Sequence, residues 1–92
     1  MANVTTPVPS YQWTQLTTGD VTSLRVTNNG GSELFISATA GATPPTDLDG
    51  AIPVPPKVTF IGTLAEYWPG VSGANRVYAW TSYPTQASVS HA

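Results

Sequence analysis

Few residues in this chain have the type and spacing to do chemistry, and each lacks the partners such chemistry needs. Asp47-Leu48-Asp49-Gly50 begins like a calcium-binding loop, but the third acidic position and the closing glutamate of an EF-hand are missing. The same two carboxylates sit in a proline-rich stretch with no aromatic cleft evident nearby. That makes a glycosidase acid/base pair a poor reading and a plain turn the simpler one. His91 is the only histidine and stands one residue from the end of the sequence, where a catalytic base would lack fixed geometry; a surface or sheet-edge role is expected. No serine lies in a G-x-S-x-G elbow. Cysteine is absent, which removes disulfides, thiolate metal sites and cysteine catalysis together. Asn3-Val4-Thr5 matches a glycosylation sequon, but the N-terminus lacks the basic-then-apolar pattern of a signal peptide, so the match is read as chance. The expectation is a protein that is not an enzyme, with no cofactor and no bound metal.

The aromatic residues are the other candidates. Trp68, Tyr78 and Trp80, with Trp13, would form a ligand face if exposed, stacking on sugar rings. Buried, they would be core residues, and Trp68 in the Trp68-Pro69-Gly70 turn is expected to plug one end of the core. A flat exposed aromatic row would favour a sugar binder, and buried rings an assembly protein.

The elements that must position these residues are strands. At 92 residues the chain is one domain of a size that buries roughly two-thirds of its unfolded surface. Its charged fraction is 9% and its net charge −2, with Arg25, Lys57 and Arg76 the only strong bases, so no basic patch exists for nucleic acid. Apolar content of 40%, with three Trp and four Tyr, argues for a packed core rather than disorder. No apolar run reaches membrane-spanning length, so no membrane partner is expected.

Residues 21–39 give the strongest local signal, two alternating runs around a cluster of turn residues, as in a β-hairpin. Thr22, Leu24, Val26 and Asn28 share one face, and Leu34, Ile36 and Ala38 share one. An even-numbered core face in both arms requires an odd loop, so Asn29-Gly30-Gly31 is expected to turn the chain, its glycines supplying positive φ. That register sets Val26 against Leu34, Leu24 against Ile36, and Arg25 beside Phe35 with Glu33 diagonal.

Residues 1–10, with two prolines and no periodic apolar pattern, read as an extended arm outside the core, held by a neighbouring chain. Residues 11–16 alternate as a strand with an aromatic face, and residues 17–20 read as a turn. Residues 40–56 hold five prolines and two glycines, which reads as one long stiff loop. Residues 57–64 read as a core strand with Val58, Phe60, Gly62 and Leu64 on its inner face, the gap at Gly62 marking either a bulge or the approach of a Trp ring. In residues 76–82 either Val77, Ala79 and Thr81 or the aromatic set turns inward. Residues 87–92 close the sheet system, with Ala87, Val89 and His91 on one side, and look too polar on the other to be central. The result is an all-β antiparallel sandwich of six to seven short strands, preferred over a small barrel, with no convincing helix; the domain spans residues 11–92 behind the arm.

A family resemblance adds to this. Val26-Thr27-Asn28-Asn29-Gly30-Gly31, then Ile36, Thr39, Gly41 and Pro44, then Arg76-Val77-Tyr78-Ala79-Trp80 and a final Ala87-Ser88-Val89-Ser90-His91-Ala92 resemble small virion proteins of tailed bacteriophages. That group includes head decoration or cement proteins and small tail or fibre modules. The resemblance implies structural binding rather than catalysis, with the major capsid protein or other virion proteins as partners and location in the virion. The chain departs from the best-known decoration proteins in having no long arm or helix, which leaves head and tail both open. On this reading the contact surfaces are the arm, at Val4, Pro7 and Pro9, and the proline loop, at Pro44, Pro45, Leu48, Ile52 and Pro53, and a homo-oligomer is expected.

Overall fold

The computed structural model describes residues 2–17, 21–41, 43–46, 48 and 50–91. Eight strands and one helical turn follow in chain order: β1 (Ala2–Val8), β2 (Thr14–Gln15), β3 (Ser23–Asn28), β4 (Leu34–Thr39), β5 (Ile52–Val54), β6 (Thr59–Thr63), α1 (Leu64–Tyr67), β7 (Arg76–Thr81) and β8 (Thr85–His91). They build two four-stranded sheets, β1-β8-β3-β6 and β2-β7-β4-β5, antiparallel at every pairing. The sheets pack as an open sandwich rather than closing into a barrel.

Alternation sets the core. Leu24, Val26, Leu34, Ile36 and Ala38 are all buried, as their shared even parity requires. From the last two strands Val77, Ala79 and Thr81, and Thr85, Ala87 and Val89, turn inward and complete the layer between the sheets. Each fully buried Leu, Ile or Val contributes about 1.5–3 kcal/mol relative to exposure. Trp68 plugs one end as expected, buried with its indole N–H donating to the Gly50 carbonyl at 3.0 Å.

The expected hairpin is not formed. β3 pairs with β6 and β8, β4 pairs with β5 and β7, and the five residues between them carry the chain from one sheet to the other. Two arms with inward faces can lie side by side or face each other across a core, and here they face each other. Val26 therefore opposes Phe60 and Val89, and Leu34 opposes Val54 and Thr81. Arg25 lies between Ile61 and Ser90, while Phe35 is in the other sheet between Pro53 and Trp80. Gly30 and Gly31 are not at positive φ; Gly30 is required because a Cβ there would collide with the Thr85 side chain, whereas Gly31 has open space.

Asn28 holds the crossing together. Its carboxamide nitrogen donates to the carbonyls of Ser32 (2.6 Å) and Val54 (2.9 Å), and its oxygen accepts from the Gly30 amide (3.1 Å) and the Thr85 hydroxyl (3.0 Å). All four hydrogen-bonding positions of a fully buried side chain are thus used.

Five further expectations are corrected. The segment before Pro9 is no free arm: β1 pairs with β8 at seven positions, and Val8 is in the core. Residues 40–56 are not loop throughout, because β5 adds a three-residue edge to β4; Pro53 is tolerated there since an edge strand can spare an N–H. Residues 57–64 form an edge rather than a core strand, with Val58 exposed, Phe60 half-buried and Leu64 buried in α1. The gap at Gly62 is filled by the Tyr67 ring, not by a Trp. Finally, β8 is central, between β1 and β3. Its polar face, Ser88 and Ser90, is the solvent side of an antiparallel sheet, which does not need a second cover.

The strand expected over residues 11–16 shrinks to β2, because Tyr11 takes positive φ (61°); even so, the amides of Tyr11 and Leu16 bond to β7 carbonyls at 2.8 Å. Thr17, expected in a turn, is buried and accepts a hydrogen bond from the Val77 amide at 3.2 Å.

Candidate functional site

Three surfaces are organised enough to be sites. The first lies where the β3–β4 crossing meets the end of β1. Pro7 and Pro9 are exposed and, with Pro84, Val8, Gly30 and Gln86, line a shallow, mostly apolar groove of about 560 Å³. Prolines 7 and 9 bracket Val8, whose burial fixes the chain, so their rings are held outward on a rigid strand end. Val4 stands within β1 opposite Val89, and its side chain lies outside the described residues.

The second surface is at the opposite end of the sandwich. β4 runs from Leu34 beside the crossing to Thr39 at the far end, where Pro45, Thr46, Gly50, Trp68, Pro69 and Val71 enclose a hollow of about 530 Å³. Pro44 and Leu48 are exposed on the same loop, Ile52 is half-buried against the core, and Pro53 is exposed on β5 opposite Phe35. The two expected contact surfaces therefore lie at opposite ends of the sandwich, Pro7 and Pro9 at one and Pro44, Pro45 and Leu48 at the other.

The third surface is the outer face of the second sheet. Of the expected ligand face, Trp68 and Tyr78 are buried, at 4% and 3% exposure, so they offer no surface. Trp80 is half-buried and stands between two rings that sequence reading did not associate with it. Tyr11 meets it edge-on with centroids 5.7 Å apart and planes at 80°, and Phe35 is 6.2 Å away at 58°. Tyr11 is 71% exposed. The planes are inclined, so the three rings make a ridge rather than a flat stacking platform. Phe35 could be found only from the β4–β7 register, and Tyr11 only from its hydrogen bond to Thr81 on β7.

The outer face of the first sheet bears the hydroxyls of Thr5, Ser88, Thr27 and Thr59 in one row across four strands, with the Thr27 and Thr59 oxygens 2.8 Å apart. Among the described residues no three His, Cys, Asp or Glu side chains come together. Asp47 and Asp49, the expected turn carboxylates, lie outside the described residues, as does the His91 side chain; its backbone closes β8 opposite Ala2 and Leu24.

The fold and these surfaces define a small all-β sandwich of two four-stranded antiparallel sheets. No family model, curated protein or solved structure matches the chain.

Proposed function

We propose that this chain is a non-enzymatic virion structural protein of a tailed bacteriophage, a capsid decoration or cement module that docks on the major capsid protein. The observation that supports this most is the proline-lined groove at Pro7, Pro9 and Pro84. Proline has little conformational freedom to lose, so a rigid proline surface docks with a smaller ordering cost than a flexible loop of the same area. The low charge and the hydroxyl-rich outer sheet fit a module held by shape and apolar contact rather than by electrostatic steering. The test is binding of the purified protein to capsids assembled without it. Wild-type protein saturates such particles, while Pro9→Glu with Pro84→Glu, both at exposed positions, weakens binding at unchanged circular dichroism. Absence of the protein from any virion, or full binding by the double variant, sinks the reading.

One observation favours a second reading, a tail- or fibre-associated or carbohydrate-binding module: the ridge of Tyr11, Trp80 and Phe35 stands partly in solvent. Titration of ¹⁵N-labelled protein with host surface polysaccharide separates the two. Shifts confined to residues around Trp80 support the glycan reading, and none leaves decoration as the better account.

A further inference from the structure

The two sheets have four free edges, and they are unequally protected. β2 is two residues long, β5 is three residues with Pro53 in it, and β1 contains Pro7. Short edges and prolines are the usual means by which a sheet avoids pairing with another chain. The edge at β6 has neither. Thr59–Thr63 holds no charge and no proline, and β6 pairs with β3 on one side only. It also carries exposed apolar surface: Ile61 is 66% exposed, Val58 just before the strand is 44% exposed, and Tyr67, at the end of the helical turn that follows it, is 44% exposed.

The strand is self-complementary. In an antiparallel pairing about a two-fold axis at Ile61, Ile61 meets Ile61 of a second copy and Thr59 meets Thr63 on the outer face, while on the inner face Phe60 comes opposite Gly62, which each copy's own Tyr67 ring already covers. Arg25, the cross-strand neighbour of Ile61, comes no nearer to its symmetry mate than three strand spacings, about 14 Å, beyond the ~10 Å screening length at moderate salt.

We propose that the protein forms a two-fold dimer by β6-to-β6 strand addition, joining the first sheets of two copies into one continuous eight-stranded sheet. The occupant of this edge is a second copy because the axis sets Ile61 on Ile61 and threonine on threonine in a strand with no charge of its own, the self-match an isologous interface requires. Backbone hydrogen bonds between the strands supply the geometry, and the Ile61 pair removes apolar surface from water. The inference is independent of the capsid reading, since it concerns the free protein.

Two experiments test it. Light scattering on size-exclusion fractions gives a concentration-dependent dimer for the wild type. Ile61→Lys, which sets like charges together on the axis, weakens dimerisation by about tenfold or more while leaving the monomer folded by circular dichroism. Thr5→Lys, on the β1 edge, leaves the dimer unchanged. Because the chain has no cysteine, Ile61→Cys introduces a single thiol. Directly opposed antiparallel residues have Cα atoms about 4.5–5.5 Å apart, within disulfide reach, so oxidation with diamide links two Ile61→Cys chains and not two Thr5→Cys chains. A wild type that stays monomeric while Ile61→Cys fails to cross-link overturns the proposal. So does a dimer that Ile61→Lys leaves intact.

Discussion

Asn28 is the residue on which the crossing between the sheets depends. It is fully buried, and its four hydrogen bonds tie the end of β3 to Gly30, Ser32, Val54 and Thr85. Truncation would leave the Val54 carbonyl, among others, buried without its donor. A buried polar group stranded in this way costs about 1–3 kcal/mol, so Asn28→Ala is expected to lower stability by about 3 kcal/mol in urea denaturation. A loss below the cost of a single hydrogen bond would show that the crossing is held by other contacts. Tyr78 presents the opposite case, because its hydroxyl is buried and finds no hydrogen-bond partner among the described residues. Removing an unsatisfied polar atom relieves its desolvation penalty. Tyr78→Phe is therefore expected to stabilise the fold by about 1 kcal/mol and to raise the melting temperature by several degrees; a lower melting temperature would reveal a partner for that hydroxyl.

Among the elements, β1 has the largest unexpected role. It closes one side of the first sheet against β8 and brings Val8 into the core. Deleting residues 2–10 removes both the ladder and a buried valine, so the truncated chain is expected to lose most of its cooperative thermal transition. A truncation with unchanged melting would show that β1 is dispensable to the fold. The faces of β3 and β4 are tested by a pair of charges. Leu34 is fully buried, whereas Thr27 lies on the outer face between Ser88 and Thr59. Leu34→Asp buries an unpaired carboxylate and unfolds the domain, while Thr27→Asp costs about 1 kcal/mol or less. Similar melting temperatures for the two variants would refute the assigned faces.

At the scale of the whole molecule, only one ladder among the described residues joins strands adjacent in sequence. β4 pairs with β5; every other ladder, β1 with β8 above all, joins segments far apart in the chain. Loop-closure entropy must be overcome before such pairings contribute, which slows folding. Refolding from urea is expected on the millisecond-to-second scale typical of all-β sandwiches, and loss of residues 85–92 should abolish it, because β8 lies between β1 and β3. Stopped-flow fluorescence of the three tryptophans reads the rate, and microsecond refolding would contradict this topology.

Side-chain direction was legible in the sequence because it is local: a period of two sends Leu24, Val26, Leu34, Ile36 and Val89 to one side whatever the neighbouring strand is, although in residues 76–82 alternation left either face a candidate for the core. For the same reason the sandwich class and the plug at Trp68 could be read from alternation, turn residues and the lack of helical periodicity. Partner choice could not. Every non-proline backbone presents the same N–H and C=O, so nothing in residues 21–39 distinguishes a hairpin from a crossing between sheets, and nothing in residues 1–10 names β8 as a neighbour. The same limit applied to the candidate sites, whose prolines and aromatic rings were identifiable one by one. Their grouping, Pro7 and Pro9 with Pro84 and Trp80 with Tyr11 and Phe35, was decided by the tertiary structure, because it depends on which distant strands share a sheet and only burial of the whole core selects that arrangement.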